Sequence, residues 1–447
     1  MEKFMSFLEE KMVPIAGKLD QNRYLTAIKN TFIGAMPLFI IGSFFVLIAY
    51  LPIPGFADFM LNTFGESWQR TISLPNEVTM SMMTIYVVIG LSSNLSKSYH
   101  LDSMGAIFAA LAAFLMATPV NLFAVEGTGN GIPVSALGSS GLFVGMLCAV
   151  LSVELLHFAD KRGWKIKMPD SVPANVSTSF STLIPILFVT LVFFAIRLGF
   201  SATSYGTLQS FIFSNLQKPL TSLGATLPAL IIVMLVGGVL WTFGIHGGNI
   251  VGGIMQPVWL ALTAENAEAI ANGLPAPNII NFQFYNNFTK IGGWGATFGL
   301  CIFLLFFAKS QQFKAIGKLS ILPTIFTINE PITFGLPIVM NPILMLPYII
   351  CPVVMAIVAY VSMDLGLVPY PNGVNIPWTT PPIIAGFLVS GWQGAVLNVV
   401  QIILSLLIYF PFAKAADMVA LKAERIAAEE LESAETELEA NRSLAVK

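Results

Sequence analysis

Charge is what this sequence has least of. Only 46 of its 447 residues are Lys, Arg, Asp or Glu, or 10 %, where a soluble domain carries roughly 25 %. Disorder needs the opposite balance, high charge with low hydrophobicity, and is excluded. Hydrophobic residues make up 55 % of the chain, and a soluble protein of this length lacks the interior to hide so much apolar surface. The sequence is that of an integral membrane protein, with the lipid bilayer as its first partner.

Cysteine is nearly missing as well. Cys148, Cys301 and Cys351 lie far apart in apolar runs. Without CxxC or metal-ligand spacing they support neither a disulfide framework nor a metal site, and they read as small core hydrophobes. No phosphate loop is present, and no cofactor is expected. A net charge of −2 gives no electrostatic reason to expect nucleic acid. The first 27 residues hold Glu2, Glu9, Glu10 and Asp20 with no sustained apolar core, so a cleaved signal peptide is not expected.

The placement of the few charges outlines the membrane. Nine lie in residues 1–29 and thirteen in 414–447, leaving 24 for the 384 residues between. Phe4, Leu8, Met12, Ile15 and Leu19 form one apolar stripe at helical spacing, which predicts an amphipathic surface helix over 1–27. Spanning helices need about 20 mostly apolar residues. Candidates fall near 28–51, 78–97, 103–120, 139–158, 180–200, 227–244, 249–263, 294–309, 342–363 and 393–413, the short 249–263 piece being the weakest. Lys and Arg concentrate in 1–29, 158–179, 309–318 and 414–425, which places both termini and those two loops on the cytoplasmic side. Ten spans satisfy that parity. The expected fold is an all-α polytopic membrane protein with about ten transmembrane helices. The stretch 414–447, rich in Ala, Glu and Leu, is expected to be a solvated cytoplasmic helix.

Two apolar stretches are broken by proline and glycine: 319–341 and 365–392. Irregular backbone at membrane depth survives only where protein buries it or a wet cavity adjoins it. Both stretches therefore read as re-entrant hairpins, the places where transporters put their substrates. Between 319 and 412 the only charges are Asp364, at a predicted span end, and Glu330, in the middle of the first broken stretch beside Asn329. A carboxylate there must face a cavity, a cation or a hydrogen-bonding ligand. His246 lies in WTFGIHGGNIVGG, residues 241–253, where Gly247 and its fellow glycines admit a ligand or another backbone. Glu330 and His246 together can orient, and deprotonate, a hydroxyl group. Trp241 and Trp378 flank these segments and offer faces for a sugar ring to stack on, or belong to an interfacial belt. The run Asn278–Asn287, with Asn281, reads either as an outer loop with capping residues or as a sugar-binding wall. No nucleophile accompanies the acid–base pair, which disfavours an intramembrane enzyme.

These residues resemble a known pattern. The chain is similar to the membrane component (enzyme IIC) of the bacterial phosphoenolpyruvate-dependent sugar phosphotransferase system, in the lactose/cellobiose/diacetylchitobiose family. The likeness runs through the amphipathic start, the WTFGIHGGN segment and the INEPITFGLPIVMNP segment. It implies a homodimer in the bacterial inner membrane, with residues 28–220 as scaffold and subunit contact and 221–413 as transport domain. It implies that a β-linked disaccharide of cellobiose or diacetylchitobiose type binds there and is phosphorylated on its 6-hydroxyl by a cysteine of a separate cytoplasmic enzyme IIB, itself charged by IIA. On this resemblance Glu330 and His246 meet the reacting end of the sugar and Trp241 and Trp378 stack on it. Asn281, Asn329 and Gly247 are further contacts. Nothing in these residues resembles a soluble phosphocarrier, so the chain alone is not expected to phosphorylate its sugar. A different reading is a proton-coupled sugar symporter with Glu330 as the proton carrier.

Overall fold

The computed structural model describes residues 21–49, 55–119, 131–166, 168–169, 180–336, 338 and 341–445. The amphipathic stripe over 1–19 lies outside them, as does much of the basic loop 158–179. Among the described residues the architecture is all-helical. In chain order the helices are α1 (Arg23–Ala49), α2 (Phe56–Phe64), α3 (Trp68–Glu77), α4 (Met83–Ser98), α5 (Ser103–Ala117), α6 (Leu142–Lys161) and α7 (Leu183–Ser201). They continue as α8 (Leu208–Gly224), α9 (Leu227–Thr242), α10 (Gly247–Ala271), α11 (Phe282–Phe288) and α12 (Phe298–Phe306). The last four are α13 (Gln311–Ile325), α14 (Glu330–Gly335), α15 (Pro342–Asp364) and α16 (Pro382–Ala445).

Six helices among the described residues are long and apolar enough to cross a membrane, or seven if α8 and α9, which meet at 74°, form one broken span. Several differences from the sequence reading are local. The first helix starts at Arg23, and the weak 249–263 candidate lies inside α10, which has 25 residues. The 294–309 candidate shrinks to the nine residues of α12, about 13 Å of helix and too short to span. The basic stretch 309–318, read as a loop, opens α13 instead, with the Ser310 hydroxyl accepting from the Phe313 N–H at 3.2 Å.

Two apolar cores form. One draws on α4, α5, α6 and α7, where Ala106, Ala109, Ala110, Ala113 and Ala117 make a buried stripe on α5. Small side chains at this spacing let helices approach closely where lipid supplies no hydrophobic drive. The larger core runs from α9 through α16 and takes in Phe32 and Phe39 of α1, Met83 and Val87 of α4 and Leu142 of α6. The longest helix is broken: Ser390 leaves helical geometry and Gly391 adopts φ 71°. A β-carbon on Gly386 would overlap the Gly394 carbonyl oxygen, and one on Gly394 the Gly386 oxygen. In a straight helix those residues stand about 12 Å apart, so the chain doubles back here. The Asn372 side chain donates to the Leu388 carbonyl at 2.9 Å and supports the end of the first arm.

Beyond that fold-back, α16 carries one polar stripe, Asn398, Gln401, Ser405 and Tyr409, at spacings of three and four. All four are buried. Asn398 donates to the Asn287 carbonyl at 3.1 Å and Gln401 to the Phe288 carbonyl at 2.7 Å. Ser405 accepts from the Gly299 N–H at 3.0 Å and donates to Ala296, and Tyr409 donates to the Gly295 carbonyl at 2.7 Å. The stripe thus satisfies the irregular backbone between α11 and α12, where helix bonds are missing. Replacing Gln401 with Leu leaves the Phe288 carbonyl buried and unpaired, at about 1–3 kcal/mol. Thermal unfolding in detergent is expected to show a clearly lowered midpoint for Gln401→Leu and none for the half-exposed Val399→Leu.

Candidate functional site

A single cavity of about 450 Å³ gathers residues from α1, α9, α10, α11, α14 and the irregular segments between them, a size within the roughly 300–1,000 Å³ range of small-molecule sites. Trp241, His246, Asn329, Glu330 and Trp378 all line it, although 137 residues separate the first from the last. Lys29, Ile33 and Met36 of α1 form another wall.

Helix ends position the polar groups. His246 is the N-cap of α10, its Nδ1 accepting from the Asn249 N–H at 3.1 Å. A neutral imidazole with Nδ1 so engaged carries its proton on Nε2 and offers a donor, not a base. Its ring lies 4.3 Å from that of Trp241. Glu330 opens α14 just after the chain leaves α13, where proline at the second position fits a first turn. A three-residue break precedes the Asn329 cap, and in it Thr327 sits at φ 59°. That conformation is costly for a β-branched residue and persists only when its surroundings hold it. Here the Thr327 hydroxyl donates to the Trp378 carbonyl at 2.6 Å, tying the two proline-broken stretches together.

Not every expected contact faces the cavity freely. Asn281 is wholly buried and caps α11, its Oδ1 accepting from the Gln283 and Phe284 N–H groups at 3.0 Å each; it does not line the cavity. Gly247 does not line it either, because it packs on the Gly237 carbonyl, where any β-carbon would overlap. The glycines of this crossing also make room for the Trp294 indole, which a side chain at Gly237 would strike. Asn329 lines the cavity, but its amide is spent on the Trp294 carbonyl and on the Thr297 hydroxyl. It pins the Gly292–Gly295 turn to α14.

The run 278–287 is no outer loop. Asn281 through Thr289 are all buried, and this third broken segment brings Tyr285, Asn286, Lys290 and Trp294 to the cavity. Lys290 bonds Asn286 Oδ1 at 2.7 Å and lies 3.8 Å from the Tyr285 ring centre, a cation–π placement. The sequence signal for it was a lone cation in an aromatic run, the same argument that singled out Glu330. Trp294, between Gly293 and Gly295, was visible only as a tryptophan set in glycines. Three buried donors of lining residues have no protein acceptor: Trp241 Nε1, Trp294 Nε1 and Asn286 Nδ2. All three atoms are walled off from the open cavity, so a ligand meets them only if the surrounding side chains move. The exposed Trp378 indole, the His246 imidazole and one carboxylate together suit a polyhydroxylated ring.

Comparison with known proteins agrees with this chemistry. The family model described as "Phosphotransferase system, EIIC" matches residues 29–352. The chain belongs to that family. Among curated EIIC relatives, the lichenan permease IIC component of Bacillus subtilis (strain 168) is 42 % identical over 433 residues, 95 % of this chain and 96 % of that one. The cellobiose-specific EIIC component of Geobacillus stearothermophilus is 41 % identical over 92 % of this chain and 94 % of its own length. Among solved structures, the EIIC fold of ChbC, the IIC component of the N,N'-diacetylchitobiose-specific phosphotransferase system, superposes with a TM-score of 0.90. It shares 41 % identity and covers 94 % of this chain and 99 % of its own.

Proposed function

We propose that this EIIC protein is the membrane permease for a β-linked disaccharide of cellobiose or diacetylchitobiose type, coupled to phosphorylation by IIB. The observation that carries the reading is the cavity itself, in which Glu330, His246 and the exposed Trp378 indole converge. Trp378, about half exposed, offers a face for a sugar ring, while Trp241 is 3 % exposed and backs the His246 imidazole at 4.3 Å. His246 donates through Nε2, which leaves Glu330 as the group that accepts the proton of the reacting hydroxyl. In the transfer the sugar oxygen forms an O–P bond as the S–P bond to the IIB cysteine breaks. The thiolate departs and the hydroxyl proton passes to Glu330 and on to water.

The charge balance of the cavity bears on release. Lys29 and Lys290 oppose the single carboxylate of Glu330, so expulsion of the product by like-charge repulsion does not fit this site. The two cations suit stabilisation of the phosphoryl charge as it arrives. Release then follows from the change of conformation that opens the site to the cytoplasm.

The membrane arrangement extends the same reading. The break before Glu330 and the fold-back at Ser390–Gly391 support two re-entrant hairpins within a ten-span plan. The smaller core of α4–α7 supports a scaffold over 28–220, through which two copies pair. The larger core, which also takes in Phe32, Phe39, Met83 and Leu142 of that scaffold, supports a transport domain over 221–413 packed against it. Basic residues around Lys161, Lys165, Lys314 and Lys414 support both termini inside the bacterial cytoplasmic membrane, on the side of IIB and IIA.

Two substitutions test the site. A β-carbon at Gly252 meets nothing within 4 Å, yet Gly252 lines the cavity. Gly252→Leu is expected to keep the unfolding midpoint while abolishing equilibrium binding of cellobiose and diacetylchitobiose, and intact binding sinks the assignment. Glu330→Gln is expected to lower IIB-dependent phosphorylation at saturating sugar by about a hundredfold or more. Unchanged turnover removes Glu330 from the reaction.

A further inference from the structure

The polar stripe of α16 does not stop at the cavity. Two and four turns beyond Tyr409, on the same face, it presents Asp417 and Glu424, seven residues apart. Both carboxylates reach the start of α13. Asp417 accepts from the Lys309 N–H at 2.8 Å and the Ser310 N–H at 2.9 Å. Glu424 accepts from the Gln311 N–H at 3.0 Å and the Gln312 N–H at 2.9 Å. With the Ser310 hydroxyl on the Phe313 N–H, five consecutive backbone donors are satisfied by side chains. Helices leave their first four N–H groups open, and one capping side chain commonly fills one of them. Two anions on four donors, aligned with the positive end of the helix dipole, are a far stronger hold. Asp417 is 3 % exposed, a buried carboxylate whose two oxygens are both spent on this helix start.

What is held matters as much as the hold. The chain leaves the far end of α13 through the Thr327 break and reaches Glu330 five residues after Ile325. Gly317, halfway along, is pressed against the Leu304 backbone of α12, so α13 has little room to slide and transmits position as a strut of about 22 Å. We infer that Asp417 and Glu424 are positioning residues for the reaction: through α13 they set where the Glu330 carboxylate stands against the sugar hydroxyl. The inference rests on the role proposed above for Glu330. The α11 end and the Gly292–Gly295 turn on the sugar side have a second support in Asn398, Gln401, Ser405 and Tyr409 that does not pass through α13, although Asn329 also ties that turn to α14. Releasing the clamp therefore shifts the reacting geometry more than it weakens binding, since small misplacements act on the chemical step.

Glu424 is half-buried and its neutral amide counterpart is the same size, so Glu424→Gln is the variant that folds, with the exposed Lys422→Gln as control. The full chain is reconstituted in vesicles with phosphoenolpyruvate and the phosphotransfer proteins, and amide hydrogen exchange is followed in the same preparation. Glu424→Gln is expected to lower turnover at saturating cellobiose about tenfold while the sugar Kd stays within about threefold. Exchange at the Ile332 and Thr333 amides of α14, beyond the far end of α13, is expected to rise, and Lys422→Gln to change none of these. Unchanged turnover, an equal loss of affinity and turnover, or faster exchange confined to residues 309–313 each overturns the inference. If exchange at Ile332 and Thr333 rises while both Glu424→Gln and Glu330→Gln keep full turnover, the clamp holds α13 but the catalytic role of Glu330 fails, and the positioning claim fails with it.

Discussion

One face of one helix holds the site together. Where the backbone between α11 and α12 leaves helical geometry, it exposes carbonyls and N–H groups that the bilayer interior cannot satisfy. Asn398, Gln401, Ser405 and Tyr409 of α16 supply the missing partners in register, one turn after another. Without that stripe the turn at Gly292–Gly295 has no reason to stay at depth, and Lys290 and Trp294 leave the cavity with it. A straight bundle would need none of these amides, but it would also have no pocket.

The same solution recurs wherever the chain breaks. Asn329 pins the start of α14 to the Trp294 turn, and Asn266 bonds the Asn278 and Pro371 carbonyls at 2.8 and 2.7 Å, joining α10 to both neighbouring loops. Gln283 donates to Asn375 Oδ1 at 2.8 Å, tying α11 to the second proline-broken stretch. Asparagine and glutamine serve here because each carries both donors and an acceptor on a short arm. Charges are kept for other work. Those that line the cavity are Lys29, Lys290 and Glu330.

Much of this was legible in the sequence. Scarce charge identified the solvent, and Glu330 stood out because a carboxylate in a broken apolar stretch has few other uses. Trp241, His246 and Trp378 followed from their place beside breaks, and the structure brings them to one cavity. Asn281 and Gly247 misled because capping and close packing favour the same residue types as ligand contact. The run NIINFQFYNN suits an outer loop and a sugar-binding wall equally well in sequence; only the facing stripe on α16 shows that it is buried. That stripe is itself visible, at spacings of three and four inside a run otherwise rich in Ile and Leu. The hold of Asp417 and Glu424 on α13 was not readable, since it joins residues more than a hundred apart and looks in sequence like the start of a charged tail.

The central claim is that sugar movement through this chain is completed by phosphoryl transfer in the Glu330 cavity. The direct measurement is the accumulation of disaccharide in vesicles carrying the full chain, with phosphoenolpyruvate and the general phosphotransfer proteins inside, with and without IIA and IIB. The sugar is expected to accumulate as its phosphate, accumulation to require IIB, and an uncoupler to leave it intact. Undiminished uptake of free sugar without IIB, abolished by an uncoupler, would contradict it and make Glu330 the proton carrier of a symporter.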